Sequence, residues 1–544
     1  MTTGSINKIN LNTSSFERII TNGQFYVDKT RLIEHFLNSS CDVSLVTRQR
    51  RLGKSLNMDM LRSFLSDRED TRHLFKGLYI ESSSVLEMIN SAPVFYFDFK
   101  NLTPHVYETQ ITQQVDKHIF SIINPKELNG YCLRLYNNLM DNPKYASSAL
   151  IILTEIAYET AGKRSYLLID EYDKLLIDNH KNESYEEIRN FFTALFSSAL
   201  KGNQYLEKAM LTGVLRISHE SMFSGLNNIV TYDVFNDETY TDDYGFTEDE
   251  VEAINKYVEF DKSKLRQWYN GVRISGKPIY NTYSVMSYLF QNKFGCFWGK
   301  SGAMHIIAEL LNENRKAALA KLLNNEQIEV PLASRVSLCD LSKESNDEAF
   351  YSLLVQGGYL SLIETVKDKP AAGIVSIPNI ELMLVWKEFI LEKVFHAIPR
   401  IRTIFDNINS PSDFENDLEY FLRDRLSFYD LAAEKGINPK STQESLYHAF
   451  MLGILSAYEN VNCGYPLSNR ESGDGRYDIL AIRPDVNIIF EFKACSKEED
   501  METNAEKALV QINTKRYGAD LDKSKRLVKV GIAFCGKDCK VKVA

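Results

Sequence analysis

The stretch Leu45-Val-Thr-Arg-Gln-Arg-Arg-Leu-Gly53-Lys54-Ser55 sets the architecture of the first part of this chain. The apolar run from Val43 to Val46 predicts a short strand, and the run from Leu56 to Leu65 predicts a helix. A basic loop that ends in Gly-Lys-Ser joins the two. Backbone N–H groups and a helix N-terminus at such a loop bind phosphate. The stretch therefore predicts a phosphate-binding loop between a strand and a helix.

Two side chains of this loop have the chemistry that nucleotide binding requires. The pattern predicts that Lys54 contacts the β- and γ-phosphates of ATP and that the Ser55 hydroxyl is a Mg²⁺ ligand. Arg48 stands where the usual pattern has its first glycine. Because glycine alone takes a positive φ freely, we expect this loop to turn differently from the common one.

A second apolar run, Tyr166-Leu-Leu-Ile-Asp170-Glu171, ends in two carboxylates. In P-loop ATPases the aspartate at such a strand end holds Mg²⁺, and the following glutamate acts as a general base towards the attacking water. The alternative is a buried strand that ends at an acidic helix cap. Since α/β sheets bind ligands at the carboxyl ends of their strands, the loop and the carboxylates together favour nucleotide binding.

Further strand-like runs, Val94 to Phe99 and Ala209 to Gly213, predict a mostly parallel sheet. Thr212 ends the second run, where a hydroxyl is placed to touch a γ-phosphate. Arg216 follows shortly. We expect it to be either a charge sensor or arginine finger, or an ordinary surface arginine, and the sequence favours neither role over the other. Arg216 or the loop arginines would serve a neighbouring subunit if the protein forms a homo-oligomer.

Composition limits the classes of protein that remain. The chain has 544 residues, which predicts about three domains. Its net charge of -10 argues against a surface coated for DNA binding, so any nucleic-acid contact requires a local basic patch. No apolar run approaches the length of about 20 residues that spans a bilayer, and the N-terminus lacks an apolar signal core. We expect a cytoplasmic protein without a membrane partner.

The pattern of predicted elements divides the chain into three regions. Residues 1–235 alternate strand-like and helix-like runs and predict an α/β ATPase domain with a parallel sheet. Residues 236–395 carry helical periods and predict a mainly helical lid or winged-helix-like region. Residues 396–544 begin with helices and then change to strands.

The last region contains a second group of polar residues. Runs on either side of an Arg-Pro-Asp turn predict a β-hairpin whose register places Asp478 near Glu491. Alternation along the strand places Glu491 and Lys493 on one face and Phe490 and Phe492 on the other. Two carboxylates beside a lysine predict a Mg²⁺ site for phosphodiester cleavage. The alternative is an edge strand with solvated Glu and Lys.

The whole chain resembles a bacterial family that joins an AAA-ATPase-like domain to a C-terminal PD-(D/E)xK nuclease-superfamily domain. The motifs that carry the resemblance are Phe25-Tyr-Val-Asp28-Lys29-Thr30, Arg48-Gln-Arg-Arg51-Leu-Gly53-Lys54-Ser55, Leu168-Ile-Asp170-Glu171-Tyr172-Asp173, Leu211-Thr-Gly213-Val-Leu-Arg216, Tyr447-His448-Ala-Phe450, Glu471-Ser-Gly-Asp-Gly475-Arg476-Tyr-Asp478, Glu491-Phe-Lys493, and Gln511 with Tyr517. The resemblance implies a P-loop ATPase with a parallel sheet, and a restriction-endonuclease-like α/β domain at the C-terminus.

The resemblance also implies roles for single residues. It assigns Asp478 and Glu491 as Mg²⁺ ligands, Lys493 as the third catalytic group, and Gln511 as a residue on the following helix that faces the site. A helix-surface amide is the alternative for Gln511. Glu444 or Glu471 would supply an additional acid. In the N-terminal domain, the predicted nucleotide-binding residues are Arg48, Arg51, Gly53, Lys54, Ser55, Asp170, Thr212 and Arg216, with Glu171 as the catalytic base.

The primary functional hypothesis is an ATP-gated, Mg²⁺-dependent nuclease that cleaves DNA, in defence or mobile-element biology. The alternative is a nucleotide-switched interaction protein whose nuclease-like domain binds nucleic acid or a partner without cleaving it. A third possibility leaves the ATPase as the sole active part. Basic residues near the C-terminus offer either a phosphate-backbone contact or an ordinary solvated surface: Lys515, Arg516, Lys523, Lys525, Arg526, Lys529, Lys537, Lys540 and Lys542.

Overall fold

The computed structural model describes residues 2–5, 8–216, 228–298, 304–323, 325–333, 346–366, 369, 371–389, 403–405, 407–426, 451, 455, 467–468, 471–483, 485–495, 500–535 and 538–544. The chain divides into two compact units, Met1–Trp298 with Glu329–Ile380, and Gly299–Ile328 with Glu381–Ala544. Each unit combines helices with a five-stranded sheet, which confirms the predicted α/β class. The division into three domains stays a prediction.

The strands follow one another along the chain in nineteen short segments among the described residues. They are β1 (Thr2–Thr3), β2 (Tyr26–Val27), β3 (Val43–Thr47), β4 (Val94–Asp98), β5 (Ser165–Asp170), β6 (Leu206–Gly213), β7 (Ile229–Tyr232), β8 (Val272–Ile274), β9 (Lys277–Ile279), β10 (Ile328–Pro331), β11 (Ser361–Thr365), β12 (Ala372–Ser376), β13 (Leu467–Ser468), β14 (Glu471–Ser472), β15 (Gly475–Arg476), β16 (Ile479–Ile482), β17 (Val486–Ala494), β18 (Arg526–Cys535) and β19 (Asp538–Val543).

The helices are numbered in the same way. They are α1 (Phe16–Thr21), α2 (Arg31–Asn38), α3 (Lys54–Leu65), α4 (Tyr107–Phe120), α5 (Gly130–Asp141), α6 (Ala149–Ala161), α7 (Lys174–Asp178), α8 (Tyr185–Leu200), α9 (Glu248–Asn255), α10 (Lys262–Tyr269), α11 (Thr282–Gln291), α12 (Met304–Glu309), α13 (Glu313–Leu323), α14 (Asp347–Gln356), α15 (Ile380–Phe389), α16 (Pro411–Leu426) and α17 (Met501–Thr514). None of the helices in the described part of the chain has the length and apolar character needed to cross a bilayer.

A parallel sheet in the order β4-β5-β6-β3-β7 forms the centre of the first unit. Every residue of β3 and β5 is buried, because parallel strands that are covered on both faces bury nearly all their side chains. One apolar cluster joins the sheet to α3 through Met58, Leu61 and Phe64. The carboxyl ends of β3, β5 and β6 therefore meet at one edge of the sheet.

The region predicted to be mainly helical contains helices together with small sheets. β8 and β9 form an antiparallel hairpin, and β10, β11 and β12 form a three-stranded sheet in the order β10-β12-β11. Helix α9 begins at a capping box in which Thr247 and Glu250 bond each other's backbone. This region up to Trp298, with Glu329–Ile380, belongs to the same compact unit as the parallel sheet.

The second unit has a mixed sheet in the order β13-β16-β17-β18-β19. β16 and β17 pair antiparallel, which confirms the predicted hairpin, and β17 pairs parallel with β18. Ile488, Phe490 and Phe492 on one face of β17 join a core cluster with residues of α16. Ile489, on the opposite face, packs with Ile512 of α17. The face of β17 that carries Glu491 is therefore the face covered by α17.

Gly531 of β18 allows α17 to lie close to this sheet. It pairs with Glu491 in the parallel register of β17 and β18. A Cβ atom added at Gly531 would lie 2.4 Å from the Ala505 carbonyl oxygen and 3.0 Å from the Leu509 nitrogen, both in α17. A side chain at this position would therefore displace the helix, so glycine sets the spacing between helix and sheet.

Candidate functional site

The predicted phosphate-binding loop, residues 48–53, joins β3 to α3. Gly53, the N-cap residue of α3, has a left-handed backbone with φ of 89°, which glycine adopts without steric cost. Arg51 is also left-handed, with φ of 66°. Among the described side chains, none forms a capping hydrogen bond at this helix start. The first N–H groups of α3 are therefore available to an anion.

Lys54 directs its charge into this loop. Its side chain is buried, and Nζ donates hydrogen bonds to the carbonyl oxygens of Arg48 at 2.9 Å and Gln49 at 3.0 Å. Burial lowers the pKa of Lys54, and the carboxylates of Asp170 and Glu171 oppose that effect. The third N–H of the ammonium group has no acceptor in the part of the chain that the structure describes. A buried cation with a free donor fits a phosphate oxygen.

Asp170 joins three elements at the carboxyl edge of the parallel sheet. Its Oδ2 accepts hydrogen bonds from the hydroxyl of Ser55 in α3 and, at 3.4 Å, from the hydroxyl of Tyr96 in β4. Its Oδ1 accepts from the Thr212 hydroxyl in β6 and, at 3.0 Å, from the Glu171 backbone N–H. The structure thus brings together the predicted residues Ser55, Asp170 and Thr212. A hydroxyl beside a carboxylate suits Mg²⁺, which prefers oxygen ligands.

Glu171 is held in an uncommon backbone conformation. Its φ is 54°, in the left-handed region where residues other than glycine are rare and where functional sites often store strain. Burial raises the pKa of its carboxyl group; nearby Lys54 lowers it, and Asp170 raises it further. A carboxylate whose pKa lies above its ordinary value is suited to accept a proton from water.

The Arg48 side chain is buried and bonded to protein groups. Its guanidinium forms an ion pair with Asp237, and both side chains are fully buried. It also donates to the carbonyl oxygens of Thr47 at 2.8 Å and Tyr232 at 3.1 Å. The ring of Tyr244 lies 5.2 Å from the guanidinium carbon. Arg48 therefore links the loop to the segment that follows β7, and its predicted nucleotide contact stays a prediction.

The other two predicted arginines also have protein partners. Arg51 stacks on the ring of Tyr283 at 4.3 Å and donates to the Phe297 carbonyl oxygen. Arg216 forms an ion pair with Asp233 at 2.7 Å. Among the contacts of the described residues, none joins these arginines to the carboxylate of Asp170. The predicted lysine, hydroxyl and carboxylate groups therefore lie together at the carboxyl edge of the sheet, whereas the side chains of the predicted arginines bond other protein groups.

The second group of polar residues gathers on the hairpin of the second unit. Ile479 pairs with Phe490, so Asp478 lies opposite Glu491, as the hairpin pattern predicts. Oδ2 of Asp478 accepts a hydrogen bond of 2.7 Å from the backbone N–H of Phe492. This bond extends the pairing of the two strands and fixes the Asp478 carboxylate beside Glu491.

A lysine ammonium group and a glutamine amide both contact the same carboxylate oxygen of Glu491. Lys493 Nζ lies 3.3 Å from Glu491 Oε1, and the Gln511 amide of α17 donates to that atom. The Gln511 amide also lies 3.4 Å from the Tyr517 hydroxyl. The other oxygen, Glu491 Oε2, is buried and has no hydrogen-bond partner among the described residues. The four predicted residues of this site are therefore in mutual reach.

The charge balance of this site favours a cation. Burial raises the pKa of both carboxyl groups, and the charge of Asp478 raises the pKa of Glu491 further. The ammonium group of Lys493 opposes both shifts. The buried Glu491 carboxylate and the half-buried Asp478 carboxylate cannot readily both ionise without compensation, and a divalent cation would add to the compensation that Lys493 provides. Mg²⁺ commonly binds through one or two carboxylates with waters completing its shell, so the residues present fit this ion.

Two comparisons relate the chain to known proteins. Residues 10–223 match the model of a family described as predicted AAA-ATPase, and residues 442–544 match the PD-(D/E)XK nuclease superfamily. The chain carries both of these domains.

The chain is also 28% identical over 374 residues to a protein of Azotobacter chroococcum mcd 1 described as "Uncharacterized protein in vnfD 5'region". The matched part covers 68% of this chain and 66% of the relative, so the chain spans just under two thirds of that relative's length. The group around Asp170 lies within the AAA-ATPase-like domain, and the group around Glu491 lies within the nuclease-superfamily domain.

Some predicted residues of the nuclease-superfamily domain cannot be placed. Glu444 and the motif residues 447–450 lie outside the described residues. Glu471 lies in β14, while its side chain is outside the described part. The choice between Glu444 and Glu471 as an additional acid stays open.

Sequence reasoning assigned no role to two residues of the AAA-ATPase-like domain that contact its site. Tyr96, in the middle of β4, reaches Asp170 through its hydroxyl. Asp173, three residues after Asp170, bonds the loop after β6. The available signals were the inward alternation of β4 for Tyr96 and the acidic stretch for Asp173. Neither signal identifies the group that the side chain bonds, because both contacts join segments far apart in the sequence.

We expect Arg48→Met to destabilise the AAA-ATPase-like domain, because it leaves the Asp237 carboxylate buried without its cation. Removing one partner of a buried ion pair costs about 3–5 kcal/mol. Thermal and urea denaturation of the full chain measure the loss, and Arg48→Met with Asp237→Leu should restore part of it. A fully stable Arg48→Met protein that binds ATP weakly would contradict this and would return Arg48 to the nucleotide site.

Proposed function

We propose that the chain hydrolyses ATP in its AAA-ATPase-like domain and thereby controls Mg²⁺-dependent cleavage of DNA phosphodiester bonds by its nuclease-superfamily domain. The pairing of Asp478 with Glu491 carries the proposal. Glu491, which is buried, and Asp478, which is half-buried, share one site with a lysine, and one oxygen of Glu491 lacks a protein partner in the described residues. A purely structural hairpin would have no need of a buried acid beside a second acid.

In the ATPase reaction each residue has a defined task. Lys54 and the first N–H groups of α3 bind the β- and γ-phosphates. Ser55 and Asp170 would hold the Mg²⁺ ion, which would neutralise phosphate charge when bound. The hydroxyl of Thr212 fixes the orientation of the Asp170 carboxylate. Glu171 accepts a proton from the attacking water, and its raised pKa favours that transfer.

In the nuclease reaction Asp478 and Glu491 would hold the Mg²⁺ ion. When bound, that ion would supply positive charge and activate water for attack on the phosphodiester bond. The ammonium group of Lys493 neutralises the scissile phosphate as negative charge develops on it. The amide of Gln511 holds the Glu491 carboxylate in one orientation, as groups around a metal site do for its ligands.

Plasmid nicking tests the proposal directly. We expect the full chain to nick supercoiled DNA with Mg²⁺ or Mn²⁺, to stop in EDTA, and to respond to ATP but not to the same concentration of a non-hydrolysable analogue. A Glu491→Gln protein purified in the same way controls for contaminating nucleases. ATP turnover is measured on the same preparations. Intact ATP turnover with no DNA cleavage under any of these conditions would reject the nuclease part.

The charge pattern of the second unit favours one further candidate, a nucleotide-switched protein whose nuclease-superfamily domain binds without cleaving. Several of its predicted DNA-contacting cations have carboxylate partners: Arg516 pairs with Asp474, Lys540 with Glu419 and Lys542 with Glu502. Internal pairing leaves less free charge for a phosphate backbone. Under this candidate, fluorescence anisotropy with labelled DNA shows weak or no binding by wild type, and Glu491→Gln leaves that result unchanged.

A further inference from the structure

Asp173 connects the end of β5 to the loop after β6. Its side chain is almost fully buried, and Oδ2 accepts hydrogen bonds from the backbone N–H groups of Val214 at 2.8 Å and Leu215 at 2.7 Å. Burial raises the pKa of this carboxyl group, and the two backbone hydrogen bonds lower it. We call residues 213–216, which Asp173 anchors, the junction loop.

Tyr172 makes the same connection from the neighbouring position. Its backbone N–H donates to the Thr212 carbonyl oxygen at 3.1 Å, and its hydroxyl donates to the Leu215 carbonyl oxygen at 2.7 Å. The chain after Asp170 thus stays bonded to β6 and the junction loop beyond the end of the sheet. Glu171 lies between anchored residues on both sides, with Asp170 before it and Tyr172 and Asp173 after it.

The anchoring explains the backbone conformation of Glu171. A left-handed φ is unfavourable for a residue with a side chain, and it persists only where surrounding contacts hold it. On the N-terminal side, the Glu171 N–H donates a hydrogen bond of 3.0 Å to Asp170 Oδ1. After it, the Lys174 N–H bonds the Glu171 carbonyl oxygen at 3.1 Å, and Asp173 holds the turn against the junction loop. Without Asp173 the turn loses one of its two side-chain anchors on the junction loop, and Glu171 is expected to relax.

The junction loop is itself fixed from two other directions. The Gly213 carbonyl oxygen accepts a hydrogen bond of 3.0 Å from the Arg48 N–H at the start of the phosphate-binding loop. The Arg216 N–H donates to the buried Gln356 side chain of α14 at 2.8 Å. The loop therefore provides a fixed reference near the phosphate-binding loop, against which Asp173 sets the turn.

We propose that Asp173 is a positioning residue for ATP hydrolysis, which holds the Glu171 carboxylate at the attacking water. The inference rests on the proposed ATPase function and adds a residue to it. Asp173 binds neither the nucleotide nor the metal in this scheme. Its contribution passes through Glu171, so it affects the chemical step and leaves ATP binding, which depends on Lys54 and Ser55, nearly unchanged.

A double-mutant cycle with Glu171→Gln tests the inference. We expect Asp173→Ala to lower kcat about 100-fold, the scale of a misplaced catalytic group, with KM changed less than about threefold. Asp173→Asn, whose amide oxygen accepts the same hydrogen bonds, should keep most of the activity. In the Glu171→Gln background, Asp173→Ala should lower the residual rate less than about twofold. Asp178→Ala, at an exposed position of α7, is the matched control.

The outcomes separate the inference from the proposed function. If wild type hydrolyses ATP and Asp173→Ala does so equally well, or if its loss is as large in the Glu171→Gln background as in wild type, the inference is overturned and the ATPase stands. If wild type shows no ATP turnover, the proposed function falls and the inference falls with it. Should Asp173→Ala prove unfolded by circular dichroism, Asp173→Ser, with an acceptor on a shorter side chain, carries the same expectations.

Discussion

Lys54→Ala is expected to lower ATP turnover about 10²–10³-fold, the usual effect of removing one charged or hydrogen-bonding group from a developing anion. The loss has a clear physical origin. Lys54 is buried, it bonds two loop carbonyl oxygens, and its remaining donor is directed to no described protein acceptor. The alanine variant removes the positive charge that the phosphates require and also loosens the loop. ATP binding, followed by isothermal titration calorimetry, should weaken together with turnover.

A surface lysine of the same domain supplies the matched control. Lys163 is half exposed and pairs with Asp67, so Lys163→Ala should leave ATP binding and turnover within about twofold of wild type. Melting temperatures of both variants show whether the domain remains folded. A folded Lys54→Ala protein with normal turnover would contradict the assignment of residues 48–55 as the ATP site. Under the proposed coupling, Lys54→Ala should also remove the response of DNA cleavage to ATP.

Glu491→Gln is expected to abolish DNA cleavage, with a loss of about 10³-fold or more, because a metal ion contributes several kcal/mol to the transition state. The amide keeps the shape of the side chain and its place beside Lys493 and Gln511. It removes the negative charge that, with Asp478, would hold Mg²⁺ under the proposed function. Titration with Mn²⁺ followed by calorimetry should show metal binding in wild type and a large loss of affinity in the variant.

The same substitution is expected to stabilise the metal-free protein at alkaline pH. In the folded chain the pKa of Glu491 is raised by burial and by Asp478, whereas in the unfolded chain it is near 4.3. The folded state therefore binds more protons, and the stability contributed by protonated Glu491 is present below about pH 4 and is lost as pH rises through the raised pKa. Glutamine has no charge to bury, so the variant avoids this loss. Urea denaturation in EDTA at pH 5 and pH 8.5 measures the difference.

Glu502→Gln is the matched control for both measurements. Glu502 lies in α17 of the same domain, is half exposed and pairs with Lys542. Its replacement should alter neither cleavage nor the pH dependence of stability by more than a small amount. If Glu491→Gln cleaves DNA as wild type does, the carboxylate pair is not a nuclease centre, and the binding candidate gains support.

The sequence predicted the parts of each site that depend on local geometry. A period of two along a strand and a short turn suffice to place Asp478 opposite Glu491, and the structure has that register. In the same way, the rule for sheet edges placed Gly-Lys-Ser and the strand-end carboxylate of Asp170 at the same ligand-binding edge, and Ser55 does bond Asp170. Both predictions use spacing over few residues or a common rule for sheet edges.

Contacts between distant segments lay beyond the sequence pattern. Arg48 lies in the predicted loop, but its partner Asp237 follows 189 positions later, and no local spacing links them. Asp173 bonds N–H groups 41 and 42 positions away, and backbone donors have no signature in a sequence. The placement of Gln511 came from the resemblance, because its contact with Glu491 depends on how closely a helix approaches a sheet.

The short distance between α17 and β18 explains why position 531 is a glycine. Glycine there is not required by the backbone torsion, since its φ lies outside the left-handed region. It is required because the nearest turns of α17 lie where a methyl group would be, and because the same helix presents the Gln511 amide to Glu491. The absence of a side chain at this position of β18 therefore sets the distance between α17 and the Glu491 carboxylate on the neighbouring strand. A residue without a side chain thus belongs, through its size alone, to the chemistry of the site.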